Sequence, residues 1–178
     1  MLIRLHHSVS LDGFSTDSRG WPPLLRMPDF EPGVSYGHPE FIAQCDAVVV
    51  GRTTFEPALG SPRWPWPGKR VYVLASGPVT APAGTDVEAC PGGPTQVMER
   101  LRASGVTGDV HLLGGPGTIR AFYELGLIDR LEILVLPLLL GTGMPLFPLG
   151  GNEDRLELVE HVAYPDGTVK LCYGVTAN

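Results

Sequence analysis

Two stretches of this sequence place glycine, hydroxyl side chains and arginine where an apolar run gives out. The first is "VVVGRTTFE", residues 48–56. Gly51 permits a tight exit from a strand, and Thr53 or Thr54 can cap the helix that follows. Free N–H groups at a helix start, with the helix dipole behind them, attract an anion. Arg52 adds a fixed positive charge in a planar fork suited to phosphate. Taken alone, the segment is a capped helix beside a solvated arginine, and that plainer reading has priority.

The second stretch is "VHLLGGPGTIRAF", residues 110–122. Gly114, Gly115 and Gly117 let a ligand approach the backbone, and Pro116 suits the first turn of the next helix. It is not the dinucleotide fingerprint GxGxxG, because Arg120 stands where the last glycine belongs. No GK[ST] occurs either, which removes the P-loop. A third strand end, "VLAS" at 73–76, lies between the two in sequence, and Ser76 can offer a hydroxyl to a further phosphate. Three such ends together fit a pyrophosphate plus an extra phosphate better than one.

The elements that must position these residues follow from periodicity. Leu2 to Ser8 alternates and reads as a strand. Residues 12–37 show no period and are rich in Pro, Gly, Ser and Asp, so they read as one long loop, of a length that is often functional. A short helix is expected from Pro39, a strand over Ala47–Val50, and a helix from about Thr53 to Leu59. Strands at "RVYVLAS" and "TDVEAC" precede a helix over Thr95–Ser104 with Gly105 as its C-cap. "DVHLLGG" reads as a strand, "PGTIRAFYELG" as a helix, and "RLEILVLPLL" as a strand buried on both faces. "RLELVEHVAY" and "TVKLCYGV", joined by "PDG", read as a hairpin. "SPRWPWPGKR" reads as a surface loop. The order predicts an α/β fold with a mainly parallel central sheet flanked by helices and a C-terminal antiparallel hairpin, in a single domain over residues 1–178.

Composition narrows the function. The chain has 178 residues, 43% hydrophobic and 18% charged, a globular balance, with net charge −6. No Lys/Arg cluster appears, so nucleic acid and membrane surfaces are not expected partners. Cys45, Cys90 and Cys172 form no CxxC pair, and His6 and His7 point to opposite faces of a strand. Neither a disulfide framework nor a metal site is expected. With no signal-peptide pattern at the start, a cytoplasmic protein is expected.

The ordered set "HSVSLDGF", "GRTTFE", "VLAS", "LLGGPGT" and "PLLLGTGMPLF" resembles the dihydrofolate reductase superfamily, and "SLDG" with the last motif resembles its riboflavin-biosynthesis branch. In that branch the reductase is the C-terminal half of a bifunctional deaminase/reductase. The deaminase signature is missing here, so the resemblance is to a stand-alone reductase. It implies that Gly51, Arg52, Thr53 and Thr54 bind NADPH phosphates. Leu74, Ala75 and Ser76 would lie beside the adenosine and its 2′-phosphate. Gly114, Gly115, Pro116, Gly117 and Thr118 would form the turn at the pyrophosphate and nicotinamide, with a cis bond between Gly114 and Gly115. Val9, Ser10 and Leu11 would run past the nicotinamide.

For the proton that accompanies a hydride, the acidic candidates are Asp12 in "SLDG" and Asp29 in "MPDFEPG", with Glu31 beside it. Asp before Gly is also ordinary turn chemistry, and a bound water can serve. The expected activity is hydride transfer from NADPH to a C=N or C=O bond of a small pterin-, pyrimidine- or flavin-related substrate. The resemblance also implies a homodimer. The rival is a non-catalytic NADPH- or nucleotide-binding sensor, and a second rival is a flavin- or pterin-binding reductase of broad specificity.

Overall fold

The computed structural model describes residues 1–147 and 154–175. In chain order the elements are β1 (Ile3–Ser10), β2 (Phe14–Thr16), α1 (His38–Ala43), β3 (Cys45–Gly51), α2 (Arg52–Ala58), β4 (Arg70–Leu74) and β5 (Asp86–Ala89). Then follow α3 (Gly93–Ala103), β6 (Asp109–Gly114), α4 (Pro116–Glu124), β7 (Arg130–Leu136), β8 (Met144–Pro145), β9 (Glu157–Ala163) and β10 (Val169–Gly174). The fold is α/β with mostly parallel pairing, as the order of patterns predicts. The chain divides into two compact units, Met1–Ile3 with Ala43–Leu127, and Arg4–Ile42 with the described residues from Ile128 on.

The first unit is a parallel sheet in the order β5-β4-β3-β6. Its centre is β3, whose Ala47, Val48, Val49 and Val50 are fully buried. β-Branched residues suit that position because the pleat separates their methyls onto both covered faces. One core cluster joins Val48, Val50, Val71, Val73 and Ala75 to Phe55 of α2 and to Trp66. Trp66 is 6% exposed and stacks on Phe55 at 6.1 Å, while Trp64 meets both rings edge-on. So "SPRWPWPGKR" is more than a surface loop. Its tryptophans close the apolar side of α2, a long-range packing that Pro-rich composition conceals. Each large side chain buried this way contributes about 2–3 kcal/mol.

In the second unit, β1 pairs parallel with β7, β7 antiparallel with β10, and β10 antiparallel with β9. The expected hairpin is present, closed by the Tyr164 N–H donating to the Thr168 carbonyl at 2.8 Å. Glu132 stands in the otherwise apolar run of β7 and is 3% exposed. The buried Arg4 compensates it, its Nε donating to Glu132 Oε1 at 2.6 Å, with the guanidinium 4.8 Å above the Phe41 ring. His6 stacks on the same ring at 4.5 Å, and burial lowers its pKa to about 3, so it is neutral near pH 7.

Residues 12–37 are not one bare loop. They contain β2, which pairs antiparallel with β8, and 3-10 turns at Pro23–Arg26 and Ser35–Gly37. Met27 packs with Leu134 and Leu136 of β7, and Leu24, Phe30 and Tyr36 pack around them. Tyr36 has φ +60, uncommon for a non-glycine residue, and its hydroxyl donates to the Asp166 carboxylate.

Candidate cofactor site

In the first unit the chain order reverses at β3. From β3 the chain steps to β4 on one side, and after β5 and α3 it returns as β6 on the other. Such a switch point opens a crevice at the carboxyl ends of the two flanking strands, where open α/β sheets bind ligands. Register brings the three sequence-picked strand ends to this place. Val50 pairs with Gly114, and Gly51 pairs with Leu74. Residues separated by more than sixty positions in sequence thus share one edge of the sheet.

The junctions also lean on each other. A Cβ built on Gly51 would lie 2.5 Å from Thr118 Oγ1, and one on Gly115 would lie 3.1 Å from Thr54 Oγ1. Each glycine therefore faces a threonine of the opposite junction, and the peptide between Gly114 and Gly115 is cis. Gly51 and Gly115 are themselves the N-cap residues of α2 and α4, and neither helix has a side-chain cap. This corrects the expectation that Thr53 or Thr54 caps α2. With Gly51 at the cap, both threonines already lie inside the helix and cannot reach back over its first turn. Pro116 opens α4 as expected. The Thr118 and Ile119 N–H groups donate to the Gly115 carbonyl at 2.9 and 3.1 Å.

Arg52 is not a solvated side chain. Its Nη1 donates to Glu56 Oε1 at 2.8 Å, and its Nη2 donates to the carbonyls of Gly77 at 2.8 Å and Pro78 at 2.9 Å. The guanidinium is thereby fixed beside the segment that follows β4. Leu74 ends that strand, Ala75 is buried among the core residues, and Ser76 is exposed. Glu56 is not among the residues the sequence motifs single out, although its i,i+4 spacing from Arg52 is a readable signal for a helical ion pair. The two carbonyl partners carry no such signal.

The remaining candidates belong to the second unit. Val9 and Ser10 are buried at the end of β1, and Leu11 is 65% exposed. The Ser10 Oγ accepts the Phe14 N–H at 3.0 Å. The Asp12 carboxylate accepts N–H groups from Leu140 at 3.1 Å and Gly141 at 2.7 Å. The Ser10 hydroxyl and the Gly141 N–H hold its pKa at about 2, so it carries no proton near neutral pH. These bonds make Asp12 a clamp on the "LGTG" turn. Asp29 and Glu31 are exposed, and Ser35 serves both, its hydroxyl accepting the Glu31 N–H at 2.9 Å and donating to the Asp29 carbonyl at 3.5 Å. Among the described residues no group of three or more His, Cys, Asp or Glu could hold a metal ion. Among them, too, no helix is long and apolar enough to cross a membrane.

Residues 92–170 match the family model of the RibD C-terminal domain. An uncharacterized protein of Bacillus subtilis (strain 168), YwjB, is 29% identical over 155 residues, covering 86% of this chain and 87% of that one. A solved structure from Shewanella sp. PV-4, named as a candidate riboflavin biosynthesis protein, has a TM-score of 0.85 at 27% identity. It is matched over 99% of this chain and 100% of its own. The dihydrofolate reductase of Enterococcus faecalis, solved with NADP(H), has a TM-score of 0.66 at 14% identity over 99% of this chain and 97% of its own. That last likeness is one of fold.

Proposed function

We propose that this chain, a dihydrofolate reductase-like protein whose residues 92–170 match the RibD C-terminal domain, is an NADPH-dependent reductase. The observation that carries the reading is the meeting of three strand ends at one switch point. Two uncapped helix starts and Arg52 stand there together. The residues fit a phosphate-bearing cofactor. Gly51, Arg52, Thr53 and Thr54 would hold phosphates. Leu74, Ala75 and Ser76 would flank the adenosine and its 2′-phosphate, while Gly114, Gly115, Pro116, Gly117 and Thr118 would cradle the pyrophosphate.

When bound, NADPH supplies a hydride for a C=N or C=O bond of a small pterin-, pyrimidine- or flavin-related molecule. The protein's part is to bind, orient and exclude water. Asp12 holds the "LGTG" turn in shape, and the proton comes from Asp12, Asp29, Glu31 or a water. The resemblance to the riboflavin-biosynthesis branch implies a homodimer, and the scattered cysteines fit a reducing, cytoplasmic compartment.

Absorbance at the nicotinamide band, followed with dihydrofolate, pterins and a ribosylamino-pyrimidinedione, tests this. Loss of NADPH absorbance that depends on one of these substrates is the expected result. Tight NADPH binding without turnover on any of them would favour the sensor reading over the enzyme.

A further inference from the structure

Arg52 is the one cationic side chain among residues 51–54, 74–78 and 114–118. Discrimination for a 2′-phosphate by positive charge therefore falls to it, if the NADPH reading above holds; the inference here rests on that reading. Its side chain is 33% exposed, and its three hydrogen bonds leave two of the five guanidinium N–H donors for a ligand. The bonds are of two kinds. The Gly77 and Pro78 carbonyls are neutral, so they fix the guanidinium in place and leave its charge unspent. Glu56 is an anion 2.8 Å away, and it offsets part of that charge.

We propose that Glu56 sets the strength of cofactor discrimination by offsetting the Arg52 charge that a 2′-phosphate would meet. An incoming phosphate competes with the carboxylate for the arginine, which weakens but does not remove the attraction. Tethered to two carbonyls, Arg52 would remain in position without Glu56. Removing the negative charge thus exposes the positive one and leaves the placement intact. A unit charge removed within a Debye length of a phosphate dianion changes affinity by roughly three- to tenfold. NADH lacks that phosphate and presents only its pyrophosphate, so its gain is smaller.

The experiment compares NADPH and NADH binding by fluorescence titration to the parent protein, to Glu56→Gln and to Glu56→Asp, at two salt concentrations. Glu56→Gln should bind NADPH about three- to tenfold more tightly with a smaller gain for NADH, and both gains should shrink at high salt. Glu56→Asp keeps the charge, so its NADPH-to-NADH ratio should stay near the parent's. An unchanged ratio in Glu56→Gln, an equal change for both cofactors, or weaker NADPH binding would overturn the proposal. A parent protein that binds neither cofactor would overturn the NADPH reading itself, and Glu56 with it. Glu56 is 53% exposed, and i,i+4 pairs contribute little to stability, so both variants should melt within a few degrees of the parent.

Discussion

Replacing Gly115 by alanine should abolish NADPH binding while leaving the protein folded. Gly115 has φ −75, a value any residue adopts, and its added Cβ would meet only Thr54 Oγ1, at 3.1 Å. A threonine hydroxyl can yield a few tenths of an ångström, so the stability cost should be about 1 kcal/mol or less. The cofactor cannot yield in the same way. If its phosphates lie against the backbone at the start of α4, the methyl group occupies the space of a phosphate oxygen and displaces it from its N–H donor. Charge-assisted bonds are each worth roughly 1.5–3 kcal/mol, and a steric clash adds to that, so affinity should fall at least about a hundredfold. Melting with and without NADPH separates the two effects. A variant that melts normally and still gains stability from NADPH would mean the backbone makes no close approach there. Gly117→Ala is the mild structural comparison, because its Cβ would have nothing within 4 Å.

Gly143→Ala should be the most destabilising single methyl addition in the second unit, costing about 3–5 kcal/mol. Two independent causes add. Its φ of +151 lies where residues with a Cβ are strained by about 1–3 kcal/mol. The new Cβ would also collide with the Thr16 carbonyl oxygen, and would lie 3.2 Å from Asp17 Cα. Both are backbone atoms, and they cannot rotate aside. That carbonyl belongs to β2, which pairs with β8 immediately after Gly143, so relief requires parting the two strands. Gly141 is the control, since it has φ +70 but open space around its Cβ, and alanine there should cost only about 1 kcal/mol. Urea unfolding of the two variants measures the difference. A Gly143→Ala protein within 1 kcal/mol of the parent would show that the turn does not pack against β2.

The strand ends are legible in the sequence because their chemistry is local. Val48–Val50 is a run of β-branched residues, Gly51 interrupts it, and Pro116 after two glycines marks a helix start; each signal spans a few residues. What the sequence conceals is long-range. The Asp12 carboxylate finds its donors at Leu140 and Gly141, across most of the chain, so the Asp-Gly pair reads equally as a turn or an acid. Residues 12–37 look structureless because they carry no period. Their order comes from Leu24, Met27, Phe30 and Tyr36 reaching a strand roughly a hundred positions later. Trp66 is the same case in the first unit, a buried anchor inside a Pro-rich run. Arg52 falls between the two. Its Glu56 partner is visible as helical spacing, whereas the Gly77 and Pro78 carbonyls depend on where the chain after β4 turns.

Calorimetric titration of the parent protein with NADPH and with NADH tests the cofactor site most directly. Arg52 and Ser76 flank the place assigned to the 2′-phosphate, and one charge-assisted hydrogen bond to that group is worth roughly 1.5–3 kcal/mol. NADPH should therefore bind about ten- to a hundredfold more tightly than NADH. Equal affinities, or no binding of either, would contradict the assignment.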